Sequence, residues 1–178
     1  MEKFYQIYFD SDLNVVFCGM AAGNRSAAIR AYYAGRGNKF WRVLADIGLT
    51  TELLQPSQFH SLPDFGIGLT DVAKYASGND VDILHSDRDP GAVRAKILRY
   101  LPKKFALAEV TPSPRPSPSG RGRSDASHPA PGASVRSKGE MLGFTSIYVL
   151  PSTSGSANGY WDVSYWRELA YRILAFGV

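Results

Sequence analysis

Two short segments and one carboxylate hold the side chains of this chain that could do chemistry. Residues 17–27 read Phe-Cys-Gly-Met-Ala-Ala-Gly-Asn-Arg-Ser-Ala, and residues 149–161 read Val-Leu-Pro-Ser-Thr-Ser-Gly-Ser-Ala-Asn-Gly-Tyr-Trp. Each is an apolar run that stops abruptly in small residues, as a buried strand does when it empties into a tight loop. Loops at strand ends of an open α/β sheet form the default ligand crevice. Small residues there let backbone N–H groups come close to a substrate. Asp71 follows the apolar run 66–70 and is read as the end of another strand. A carboxylate in a crevice can accept a ligand N–H, orient a water or stabilise developing positive charge. It can equally be the N-cap of a helix over 72–75. Asn24 and Ser26 add polar side chains to the first loop. Asn24 also suits a left-handed turn and Ser26 a helix cap.

Other chemistries find little support. His60, His85 and His128 have no metal-ligand spacing, so no metal is expected. The lone Cys18 can form neither an internal disulfide nor a four-cysteine cluster, and reads as a small buried thiol. No phosphate loop or Gly-x-Gly-x-x-Gly follows a strand. No apolar run approaches the ~20 residues of a membrane span, and the start lacks a signal-peptide core. A cytoplasmic, membrane-free protein is expected. The net charge of +4 resides in residues 111–139, where five basic residues face Asp125 alone; the remainder is balanced. Charge by itself therefore does not suggest a nucleic-acid partner.

These residues need a frame. The 178 residues, 44% hydrophobic, suit one domain. Strands are predicted at about Phe4–Phe9, Asn14–Gly19, Gly66–Thr70, Phe105–Val110 and Ile147–Leu150. Asn38 can cap a helix with the stripe Phe40, Val43, Leu44 and Ile47, stopped by Gly48. A short helix is placed at Pro56–Leu62. Asp89-Pro90 opens a helix with Val93, Ile97, Leu98 and Leu101 on one face. A last helix presents Trp166, Leu169, Ala170, Ile173 and Leu174. Alternating strands and helices predict an α/β three-layer sandwich around a mainly parallel sheet. Residues 111–139 hold six of the eleven prolines and no aromatic residue, which reads as a long mobile loop.

A resemblance runs through the same residues. Gly19-Met20-Ala21-Ala22-Gly23 with Ser26-Ala27 stands where the mismatch-specific uracil/thymine-DNA glycosylases carry motif 1. The likeness continues through Tyr32-Tyr33-Ala34 and Asn38-Lys39-Phe40-Trp41. It resumes at residues 64–71 and again at Leu150-Pro151-Ser152-Thr153-Ser154-Gly155, where motif 2 belongs. The chain thus resembles the uracil-DNA glycosylase superfamily, with both motifs divergent.

The resemblance implies a monofunctional hydrolase that flips uracil out of DNA and cuts its N-glycosidic bond without a cofactor. A weakened module that only binds uracil-containing or abasic DNA is the alternative. A monomer and a DNA partner are expected. The Asn that orients water in relatives is Ala21 here, so Asp71, Asn24 and Ser26 become the catalytic candidates. Tyr33 falls where the family stacks an aromatic ring on the flipped base, or it is an ordinary core tyrosine. Asn38 and Ser152 join Ala21 and Tyr33 as base-binding candidates, and Ser152 can donate to the base. Ser154, Gly155, Ser156 and Asn158 are expected to meet DNA. Ser156 occupies the place of a bulky plug; Tyr160 or Trp161 can substitute, or Trp161 packs. Relatives turn into a helix through a Gly-Lys pair within 111–139. That turn is replaced here by a segment whose Arg121, Arg123 and Arg136 either contact phosphates or belong to a tolerated linker.

Overall fold

The computed structural model describes residues 12–80, 82–109 and 141–175. The strand expected at Phe4–Phe9 and residues 111–139 lie outside them. Among the described residues, five strands form one sheet: β1 (Val15–Ala22), β2 (Ile67–Ser77), β3 (Lys104–Glu109), β4 (Met141–Leu142) and β5 (Thr145–Pro151), in the order β2-β1-β3-β5-β4. All neighbours are parallel except the short β4, which pairs antiparallel with β5. The helices are α1 (Asn24–Ile29), α2 (Phe40–Asp46), α3 (Pro90–Tyr100) and α4 (Val163–Ala175). The chain leaves β1 for β2 on one side and returns to β3 on the other. Such a reversal opens a crevice beyond the carboxyl ends of β1 and β3.

Alternation along the strands divides the core between two faces. Val15 and Phe17 of β1, with Ile67 and Leu69 of β2, meet Phe40, Val43 and Leu44 of α2 and Trp166, Leu169 and Ile173 of α4. Val16 and Cys18 point the other way, toward Phe105, Val93 and Ile97. Helices on both faces of the sheet make the expected three layers. Asp89 caps α3 by accepting the Ala92 N–H at 2.8 Å, with Pro90 in the first turn. Asn38 accepts the Phe40 N–H at 2.9 Å as α2 begins.

Several sequence expectations need correcting. Strand β2 does not end at Thr70; it runs on to Ser77, so Asp71 sits within a strand and caps no helix. Pairing with β1 holds residues 71 and 73 in the sheet. Strand β1 likewise runs past Gly19 to Ala22, and the six-residue α1 follows directly. Asn24 opens that helix rather than a left-handed turn. The expected helix at Pro56–Leu62 is a 3-10 helix over Pro56–Phe65. Leu98 and Leu101 stay 40% and 42% exposed, because α3 offers the sheet only the strip of Val93 and Ile97, and Leu101 is its left-handed C-cap. Leu174 of α4 is likewise exposed.

Trp166 joins the core to the second loop. Its ring is fully buried and stacks on Phe17 at 5.3 Å, and its Nε1–H donates to the Pro151 carbonyl at 3.1 Å. Pro151 immediately precedes Ser152. Trp166→Phe keeps an aromatic ring but shrinks it and orphans that carbonyl. We expect a loss of about 1–3 kcal/mol in urea unfolding, with the slope unchanged.

Candidate functional site

The carboxyl ends of the central strands open into a cleft of about 1090 Å³. Its walls are the end of β1 with the β1–α1 turn, residues 32–38, the middle of β2 and the turn after it, the end of β3, and the loop after β5. The site is built around one close approach. Gly19 of β1 lies opposite Asp71 of β2 in parallel register. A Cβ on Gly19 would stand 2.7 Å from Asp71 Oδ1 and 3.6 Å from the Tyr33 hydroxyl. The missing side chain therefore leaves the room into which both polar groups converge.

Each group carries an atom with no hydrogen-bond partner among the described residues. Asp71 is 3% exposed, and its Oδ2 has no hydrogen-bond partner among the described residues. The Tyr33 hydroxyl is sealed and equally without a partner. Buried polar atoms are normally paired, so two orphans facing one cleft mark a place for a ligand or water. Burial raises the Asp71 carboxyl to about 6, against a downward pull from Lys74 and a further push from Asp80. Burial, followed by the Asp71 charge, holds the Tyr33 phenol well above its usual range. Lys74, half-buried, is lowered to about 8, chiefly by desolvation.

Tyr33 is set with care. Its φ of 52° is left-handed, a conformation that costs an L-tyrosine of order 1 kcal/mol or more. Both neighbours are tied: Trp41 Nε1–H donates to the Tyr32 carbonyl at 3.2 Å, and the Ala34 N–H donates to Ser26 Oγ at 2.9 Å. One face of the Tyr33 ring stacks on Phe40, centroids 3.9 Å apart. Phe40 in turn meets Phe17 edge-on at 5.5 Å. A column of rings thus runs from the core to the cleft floor.

The cleft gathers most of the candidates from the sequence. Ala21, Asn24, Ser26, Tyr33, Asn38, Asp71, Ser152, Ser154, Gly155 and Ser156 all line it. Their tasks differ. Ser26 is 4% exposed and spends its hydroxyl on Ala34. It lies inside α1, so it is no N-cap. Asn38 is engaged by the start of α2. Ser152 Oγ accepts the Ser154 N–H at 3.2 Å, and Ser154 Oγ meets Ser156 Oγ at 2.8 Å. These bonds shape the second loop. Gly155 packs against residues 36 and 37, where a Cβ would come within 3.0 Å of the Arg36 carbonyl. Asn158 stands apart from the lining and accepts the Lys39 ammonium. Trp161 packs near Trp166 and under Lys39. Arg121, Arg123 and Arg136 lie outside the described residues.

Sequence reasoning missed Asp80, Arg36 and Arg88, which also line the cleft, and Lys74 behind it. Nothing in their local sequence singles them out; the fold brings them there. Among the described residues, no three His, Cys, Asp or Glu side chains gather as a metal site.

Gly19→Ala tests the close approach. A Cβ 2.7 Å from the carboxylate must displace Asp71 or spread β1 from β2. A stability loss of about 1–3 kcal/mol is expected, with Asp71 visibly moved in a crystal structure of the variant. An undisturbed Asp71 would show the spacing to be unimportant.

Among known families, the family model described as the uracil DNA glycosylase superfamily matches residues 6–158 of the chain.

Proposed function

We infer that this chain, which belongs to the uracil DNA glycosylase superfamily, removes uracil from DNA by hydrolysing its N-glycosidic bond. Membership makes it a DNA-acting glycosylase in general. Uracil as the base, base flipping, and kinship with the mismatch-specific branch are our reading. The observation that carries this reading is the buried Asp71 carboxylate, its Oδ2 without a hydrogen bond among the described residues, facing Tyr33 across the space left by Gly19.

Three tasks must be met. The nucleotide leaves the stack, because its anomeric carbon is hidden within the duplex. Tyr33, backed by Phe40, offers the flipped base a rigid π-face, and stacking is worth ~1–3 kcal/mol. The exposed Arg25 and Arg36 at the mouth suit DNA phosphates. The bond between C1′ and the base nitrogen then breaks, and its electron pair leaves with the base. The sugar takes on positive charge, which the Asp71 carboxylate stabilises. Water attacks C1′ and gives up one proton, and Asp71 is placed to accept it. With its proton affinity raised by burial, this carboxylate is a better base than one in water. Asp71 takes over here the work that Ala21 cannot do. The bonds within residues 152–156 spend the Ser154 and Ser156 N–H groups on Ser152 and Ser154 Oγ, and support a loop that meets the DNA strand at Gly155. Asn24 at the cleft edge is a second water-orienting candidate. No helix among the described residues is long and apolar enough to cross a membrane.

The decisive assay is release of an abasic site from uracil-containing oligonucleotides, single- and double-stranded, read by alkaline cleavage. Tight binding to abasic DNA with no release at high enzyme excess would favour a binding module instead.

Asp71→Asn is expected to slow base release by roughly tenfold or more. In the wild type, release should fall as pH drops through about 6, where Asp71 gains its proton. Stability runs the other way. The folded state holds this proton more tightly than the unfolded chain, so stability declines as pH rises from about 4 to 6, by of order 1–3 kcal/mol. Asp71→Asn should lack that decline in thermal melts. Rates near wild type in the Asn variant would remove Asp71 from the mechanism. Tyr33→Ala is expected to lower kcat/KM by roughly tenfold or more while the domain stays folded. Global unfolding of this variant would instead make Tyr33 a core residue.

A further inference from the structure

Lys74 lies three residues beyond Asp71 on β2. Strict alternation would send the two side chains to opposite faces of the sheet. The pairing with β1 breaks that parity: it skips from Ala21 opposite Ala73 to Ala22 opposite Ser77. Residues 74–76 therefore bulge out of the ladder, and a bulge re-aims a side chain. The Lys74 ammonium donates to the Tyr32 hydroxyl at 2.9 Å and stands 5.5 Å over the Tyr32 ring. Tyr32 lines the cleft, and its ring centre is 6.3 Å from that of Tyr33. A half-buried cation is thus anchored against the wall that the carboxylate faces.

We propose that Lys74 is a positioning residue for Asp71: its ammonium, held by Tyr32, keeps the buried carboxylate charged at neutral pH. The inference rests on the reading of Asp71 as the working group. Other groups bear on the same carboxylate. Strand β1 contributes the side-chain-free Gly19, while its Cys18 thiol acts on Tyr33 and Lys74 rather than on Asp71, and the segment before α2 contributes Tyr33. The turn after β2 contributes Asp80, whose own carboxyl is raised by burial and lowered by Arg88. Lys96 of α3 acts on Lys74 rather than on Asp71. Burial and Asp80 favour the protonated acid, and Lys74 opposes both. Without that cation a desolvated carboxyl takes up its proton at higher pH. The charge therefore has a task that a structural tether would not have.

The experiment titrates Asp71 directly, independent of turnover. The full chain is labelled with aspartate carrying ¹³C in its carboxyl, and the Asp71 signal is assigned by its loss in Asp71→Asn. The wild type should titrate near 6. Lys74→Met is expected to move the midpoint up by about one pH unit, while Lys74→Arg stays close to wild type. The acid limb of the base-release profile should move with the carbon signal, so the Met variant loses several-fold at pH 6.5 and recovers at pH 9. An unmoved midpoint in a folded Lys74→Met overturns the proposal. If that variant does not fold, Tyr32→Phe, which removes the anchor alone, should still raise the midpoint by some tenths of a unit; no movement there overturns it as well. A moved carboxyl titration with an unmoved rate limb leaves the hold of Lys74 intact and overturns instead the place of Asp71 in the reaction.

Discussion

Two adjacent parallel strands, about 4.8 Å apart, have no room for a carboxylate to lie across the neighbouring backbone unless that neighbour lacks a Cβ. The pairing of Gly19 with Asp71 meets that condition, and the rest of the site depends on it. It lets a charged group sit deep enough to lose its water, which makes its proton affinity high. It also leaves the Tyr33 hydroxyl facing the carboxylate without filling the space between them. A single methyl group at residue 19 would cancel all three effects.

Around this approach the chain spends its hydrogen bonds on geometry. Ser26, Trp41 and Asn38 each satisfy a backbone group, and together they hold the segment that carries Tyr33. Trp166 does the same for the loop after β5. The groups left unpaired at the cleft are those that a substrate can use. Leaving buried polar atoms unpaired at the centre is costly to fold, and is expected where a protein must act on a ligand.

Much of this was legible in the sequence, because its signals were strong. The apolar strands and the stripe of Phe40, Val43 and Leu44 carry their own periodicity, and Asp89-Pro90 is a start signal with a mechanism. The two small-residue loops both line the cleft. What failed was local. Asp71 reads as a strand end because a charge rarely continues a buried run, yet β2 carries it inward against a glycine on another strand. That compensation is invisible from β2 alone. Gly19 looked like a residue for approaching substrate, whereas its nearest neighbour is Asp71. Lys74 escaped notice because a bulge, not alternation, sets its direction. Leu98 and Leu101 looked buried because helical spacing cannot say how wide a strip the sheet will cover.

The strand order has a consequence in time. The site's walls come from residues near 20, 33, 71, 80 and 155, and every parallel pairing among them joins segments far apart in the chain. Closing such long loops is slow, and no subset of neighbouring residues can rehearse the cleft beforehand. The wall after β5 is synthesised after all the others. A nascent chain in which β1 and β2 have already paired still has no second jaw with which to grip a nucleotide. Competence therefore arrives all at once, when the segment after β5 docks.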